Sequence, residues 1–256
     1  MHRTGGSVPD SDHNGVSEMG HQSYFIWNGT DCRTVGIKLA GPAPIMRGEE
    51  RVSHVTIPGR AGELTLTEGK DVFQSYIQTV TIEVPGGLHV RDIYKWLSGK
   101  GIVTFSGEPD RKQNARVIGA ITLSRHSKNS DWWTGEVQFY CEPLKELISE
   151  STVTITSSGS DVINAGDVQS RPKIKATASG TSMTIAAGGR SLVITGLTSS
   201  NKYIIDCDAE MVLSENLSEN LTANSTGRFP VLNPGSNEVT GSGWSQLVIE
   251  RRERFL

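Results

Sequence analysis

Apolar residues fall at every second position in short runs along most of this chain, which is the period of a strand and not of a helix. Val80, Ile82 and Val84 share one face of such a run while Thr79, Thr81 and Glu83 share the other. Val117, Ile121 and Leu123 point one way between Arg116, Thr122 and Ser124, and Val137, Phe139 and Cys141 oppose Glu136, Gln138 and Tyr140. Alternation of this kind folds as half-buried strands, so the chain is expected to be mainly β. One stretch departs from it. Within Leu88–Ser98, Val90, Ile93, Tyr94 and Leu97 stand at i, i+3, i+4 and i+7, and Gly99 follows as a stop, which predicts a single amphipathic helix. Pro143, with Leu144, Leu147 and Ile148 on one side, predicts a shorter helical turn bridging two units.

The composition changes near residue 150. Beyond Ser151 the chain is rich in Thr, Ser and Gly, with alternating pairs such as Val153/Ile155, Met183/Ile185, Leu192/Ile194 and Leu247/Ile249. Turn residues separate these at the spacing of about 8–12 residues typical of an antiparallel sandwich. Residues 1–22 carry almost no large apolar side chain and read as a polar arm, with order expected from Tyr24-Phe25-Ile26-Trp27 onward. The expected division is therefore an arm (1–22), a β domain with one helix (23–148) and a β-sandwich (149–256).

Several function classes lose their footing here. A net charge of −3 gives no global basic field for sequence-specific nucleic-acid binding. No run reaches the roughly 18 apolar residues of a membrane helix. Three scattered cysteines, Cys32, Cys141 and Cys207, form no CxxC pair and argue for reduced thiols. Neither glycine-rich phosphate fingerprint follows a strand, and His54, His89 and His126 are isolated. Asp206, Asp208 and Glu210 alternate, so on a continuous strand they would share a face that suits a hard cation; the plainer expectation is a solvated strand face. Trp133-Thr-Gly-Glu136 matches the Trp-x-x-Glu half of a galectin sugar site, but the His-x-Asn-x-Arg half is missing. Arg251-Arg-Glu-Arg254 reads as a solvated charge run. No catalytic, cofactor or metal residue can be nominated, and an enzyme is not expected.

The segment Phe229-Pro-Val-Leu-Asn-Pro-Gly-Ser-Asn237 carries two prolines and a Pro-Gly turn, and follows the run Tyr203-Ile-Ile-Asp-Cys-Asp-Ala-Glu210. Proline cannot donate to a ladder, so Pro230 is expected at an edge or bulge. This arrangement resembles the distal tail proteins of long-tailed, non-contractile phages. The resemblance continues in order through Phe25-Ile-Trp-Asn-Gly-Thr30, the Arg51–Gly62 strand and glycine-rich loop, Tyr94–Gly101, Thr104–Lys112 and Val137–Pro143. It implies a tail-tube-like N-terminal domain, a galectin-like sandwich and a homohexameric ring at the distal end of the tail. The partners it implies are the tail tube protein and tail tip or baseplate proteins, in a virion assembled in the bacterial cytoplasm, with no cofactor. The roughly twenty residues ahead of the family's usual start make Met19 a candidate first residue.

Within that frame, Leu64-Thr-Leu66 is bracketed by Gly59, Gly62 and Gly69, so Pro58–Gln74 is expected to leave the domain body as a long loop or hairpin reaching a neighbouring subunit. Arg60, Glu63, Leu64, Leu66, Lys70 and Phe73 are its candidate interface residues. The alternative is a carbohydrate-binding tail adhesin, and a sandwich hydrolase is third. Beyond Ser151 the only aromatic residues are Tyr203, Phe229, Trp244 and Phe255, too few to favour sugar stacking.

Overall fold

A computed structural model describes residues 23–125, 127, 131–149 and 152–256. The polar arm expected over residues 1–22 lies outside the described residues. Antiparallel strands dominate, as the alternation requires. The first sheet runs in the order Thr30–Asp31, Phe25–Trp27, Lys100–Phe105, Arg111–Ile118, Trp133–Cys141, Tyr76–Val84, Lys38–Leu39. Its long central pair is Tyr76–Val84 against Trp133–Cys141, with Val80 opposite Val137. Because cross-strand partners share a face, Val80, Ile82, Val137 and Phe139 stack inward together and are almost completely buried.

Aromatic rings fill the centre of this core. Phe139 meets Phe25 and Trp27 at 5.4 Å and Phe105 at 5.7 Å, in tilted or edge-on geometries that suit ring quadrupoles. The helix is shorter than expected, Val90–Trp96, and buries Ile93 with Leu97 just past its end. Tyr94, which the spacing assigned to the apolar stripe, is exposed. Trp96 takes the inward role and stacks on Phe25 at 5.7 Å. The helical turn expected after Pro143 is absent: Lys145–Leu147 is a strand paired with Arg111–Ile118. A ladder on both sides satisfies its backbone, which a single helical turn would leave largely unpaired.

From Thr152 two five-stranded sheets enclose a second core. One is ordered Thr152–Ile155, Trp244–Glu250, Lys173–Ala178, Lys202–Asp206, Met211–Ser214. The other is ordered Ser160–Asn164, Gly235–Ser242, Ser182–Ala187, Arg190–Thr195, Ser225–Gly227. Ile174, Ile205 and Leu247 from the first meet Met183, Ile185, Leu192 and Ile194 from the second in one cluster. Pro230 lies outside any strand, as its missing N–H demands. The Pro234-Gly235 turn is pinned by Asn237, whose Oδ1 accepts the Asn233 amide at 2.8 Å while its Nδ2 donates to the Asn233 carbonyl at 2.7 Å.

Candidate functional site

The segment expected to leave the domain body, Pro58–Gln74, supplies only the connection and second strand of a two-stranded hairpin that begins earlier, at Val52, and has a sheet of its own. Val52–Thr56 pairs with Glu63–Thr67, and among the described residues no other strand joins them. Gly59 and Gly62 hold φ of 79° and 82° in its connection, the left-handed region that glycine enters without strain. The register sorts its side chains into two faces. Ser53 opposes Leu66 and Val55 opposes Leu64, so one face is apolar and Ile57 extends it. The other carries His54, Thr56, Glu63 and Thr65, with the Thr65 hydroxyl 3.3 Å from His54 Nδ1. Val55, Ile57, Leu64 and Leu66 are 41%, 37%, 37% and 48% exposed. Hairpins normally lay such a face on their own core, whereas this one leaves it largely open.

The root of the hairpin is fixed although its body projects. Gln74 N donates to Glu49 O at 2.7 Å and Arg51 N to Val72 O at 2.9 Å, on either side of the bridge between Glu50 and Phe73. Gly48 lies so close to Pro143 that a Cβ on it would stand 2.6 Å from the Pro143 Cβ. Tyr76 donates its hydroxyl to Met46 O at 3.2 Å and accepts from Gln113 Nε2 at 2.8 Å. Burial pushes the Tyr76 phenol up to about 12, against the opposing pull of Gln113, so the phenol stays a donor.

The six candidate interface residues separate accordingly. Leu64 and Leu66 lie on the apolar face and Glu63 on the polar one, with Arg60 in the connecting turn. Lys70 is exposed in the turn after the hairpin, and Phe73 is half-buried at the root. Val55 and Ile57 complete the apolar face and were missed, although the alternation in Val-Ser-His-Val-Thr-Ile57 signals them.

The sites weighed for other chemistry resolve into structural roles. Asp206, Asp208 and Glu210 do not share a strand face, because the strand ends at Asp206 and residues 207–210 form a turn. Asp206 receives both Nη groups of Arg252, at 2.8 and 3.1 Å, and Asp208 receives Arg254 Nη2 at 3.2 Å. Burial pushes the Asp206 carboxyl upward, but hydrogen bonds from Arg252 and the Ala209 amide outweigh it and hold the group below its ordinary range. Arg251–Arg254 is therefore not a solvated run. Arg251 donates to Ile163 O at 2.7 Å, and Glu253 is buried where it accepts the Ala165 amide at 2.9 Å.

Trp133 and Glu136 cannot make a joint sugar site, since residues three apart on a strand point to opposite faces. Trp133 packs on the first core and Glu136 is exposed on the far side. On the sandwich, Lys202, Glu215, Asn216 and Ser218 border a polar hollow of about 360 Å³. Its one aromatic, Tyr203, is 3% exposed and spends its hydroxyl on the Thr198 amide, so no ring face is open for stacking.

Comparison with solved structures shows what this arrangement is similar to. The SPP1 Dit (gp 19.1) protein, described as a paradigm of the hub adsorption apparatus in phages that infect Gram-positive bacteria, superposes with a TM-score of 0.75 at 18% sequence identity. The match covers 91% of this chain and 99% of that one, so the two share their fold over most of their length. Comparisons with protein-family models and with curated proteins found no match.

Proposed function

We propose that this chain is a structural protein of a phage tail, built into the distal end of a long non-contractile tail. Six copies form a ring there that joins the tail tube to the tip or baseplate and leaves a channel for DNA. The chain divides for this role into a tail-tube-like unit (residues 23–148) and a galectin-like sandwich (149–256), and it assembles in the bacterial cytoplasm. The observation that carries the reading is the superposition of 91% of the chain on a hub adsorption protein. The hairpin supports it independently. A projecting apolar face on a fixed root suits repeated head-to-tail contact, and such contacts close into a ring when the rotation allows. Arg60, Glu63, Leu64, Leu66, Lys70 and Phe73, together with Val55 and Ile57, form the contact with the next copy. None of the roles assigned to these residues is catalytic.

The reading is tested in two places. Gold-labelled antibody against this chain should mark phage tails at the end distal to the capsid, and label along the shaft or its absence from tails would refute the assignment. Deleting residues 62–69 should abolish assembly while the lone chain keeps its thermal transition. Loss of folding instead would mean that the hairpin serves its own domain.

A further inference from the structure

The last six residues connect the two β units a second time. Trp244–Glu250 is an inner strand of the sandwich, flanked by Thr152–Ile155 and Lys173–Ala178. Only three residues later, Arg254–Phe255 pairs with Lys145–Leu147, which belongs to the first sheet through Arg111–Ile118. The connection between them is short. Arg252 adopts φ of 48°, a left-handed conformation that a residue with a side chain keeps only when its surroundings hold it. Gly166 admits the passing chain, since a Cβ there would meet Arg254 O at 2.5 Å.

Polar groups do most of the holding. Arg252 binds Asp206, and Arg254 reaches both units at once, with Asp208 of the sandwich at 3.2 Å and Glu146 of the first sheet at 4.0 Å. The Asp167 amide donates to Arg254 O at 2.9 Å, and the Leu256 amide donates back to the Asp167 carboxylate at 3.0 Å. Phe255 is the apolar exception, buried beneath the Arg111 guanidinium at 4.4 Å. Contacts between units that are small and polar leave relative motion available, unlike a large apolar interface.

We propose that residues 251–256 are a releasable electrostatic latch that sets the orientation of the sandwich against the first unit. Closed, the latch makes the two units one rigid body. With Arg252 and Arg254 separated from Asp206 and Asp208, each unit keeps its own core and the sandwich reorients about the points where the chain crosses between them. The latch lies within one chain, so this inference stands apart from the ring.

The test places spin labels on the full chain at Glu136→Cys in the first unit and Ser245→Cys in the sandwich, both exposed positions. The native cysteines are buried, and burial pushes Cys141 and Cys207 up to about 12, so the added thiols report alone. The distance distribution should be a single narrow peak in the otherwise unaltered protein. In Asp206→Asn with Asp208→Asn that peak should be lost while the circular dichroism of both units is retained. A narrow peak that survives the double change overturns the latch. If the double variant does not fold, Arg254→Gln removes a side chain that touches both units. Broadening there supports the proposal, and an unchanged peak defeats it.

Discussion

The hairpin and the closing segment both leave the body of a sheet, and they end in opposite surroundings. The hairpin shows Val55, Ile57, Leu64 and Leu66 to solvent. The closing segment, with four charged residues among its six, is bound along its length and buries Glu253 and Phe255. Hydrophobicity alone would exchange them. Burial follows partners instead. A charge is taken out of water where a counter-charge and hydrogen bonds replace its hydration, as Asp206 does for Arg252. The hairpin's apolar face stays open in the single chain, and on the proposed reading the surface that covers it belongs to a second copy.

That contrast can be broken, beginning where the effect should be largest. Phe255→Ala removes the apolar anchor of the closing segment and should lower unfolding stability by about 3 kcal/mol in urea titrations, the usual loss for a buried ring. Arg252→Ala strands the partly buried Asp206 carboxylate and should lower it by about 1–3 kcal/mol, since a charged group loses its donor. A neutral effect of either would place the segment at the surface and end the contrast.

Acidity should separate the same pair more finely. The Asp206 carboxyl is held below its ordinary 3.8 in the folded chain, so it contributes stability above that pH and loses it as pH falls through the depressed folded value. The stability gap between the unaltered protein and Asp206→Asn should be full at neutral pH, begin to shrink as pH falls below 3.8 and vanish once pH has passed the depressed folded value. A gap that persists there would mean that packing, not charge, sets the effect. Smallest of all, Leu64→Ser with Leu66→Ser should change the stability of the lone chain by no more than about 0.5 kcal/mol, as for ordinary surface positions.

Local alternation made much of the fold legible. Val80, Ile82, Val84, Val137 and Phe139 announce their buried face in sequence because period 2 and the pleat coincide. The glycines at 59, 62 and 69 likewise announce the hairpin, since they supply turns whatever it later touches. Lys145–Leu147 did not read as a strand, because its partners lie at Arg111 and Phe255, far away along the chain. The same distance hid the latch. Arg252 finds Asp206 across 46 residues, and no local pattern tells a paired arginine from a solvated one. Tyr94 and Trp96 exchanged roles for a related reason: a seven-residue helix presents a stripe too short to fix which side chain turns inward.

The central claim, that the hairpin's open face is covered by a second copy of this chain, is tested most directly by native mass spectrometry of the purified protein beside Leu64→Ser with Leu66→Ser. Each covered leucine contributes about 1 kcal/mol per contact, repeated around the ring. Particles of six chains are expected for the unaltered protein and single chains for the variant. Single chains or dimers throughout, or six-chain particles that survive the double change, would contradict that claim.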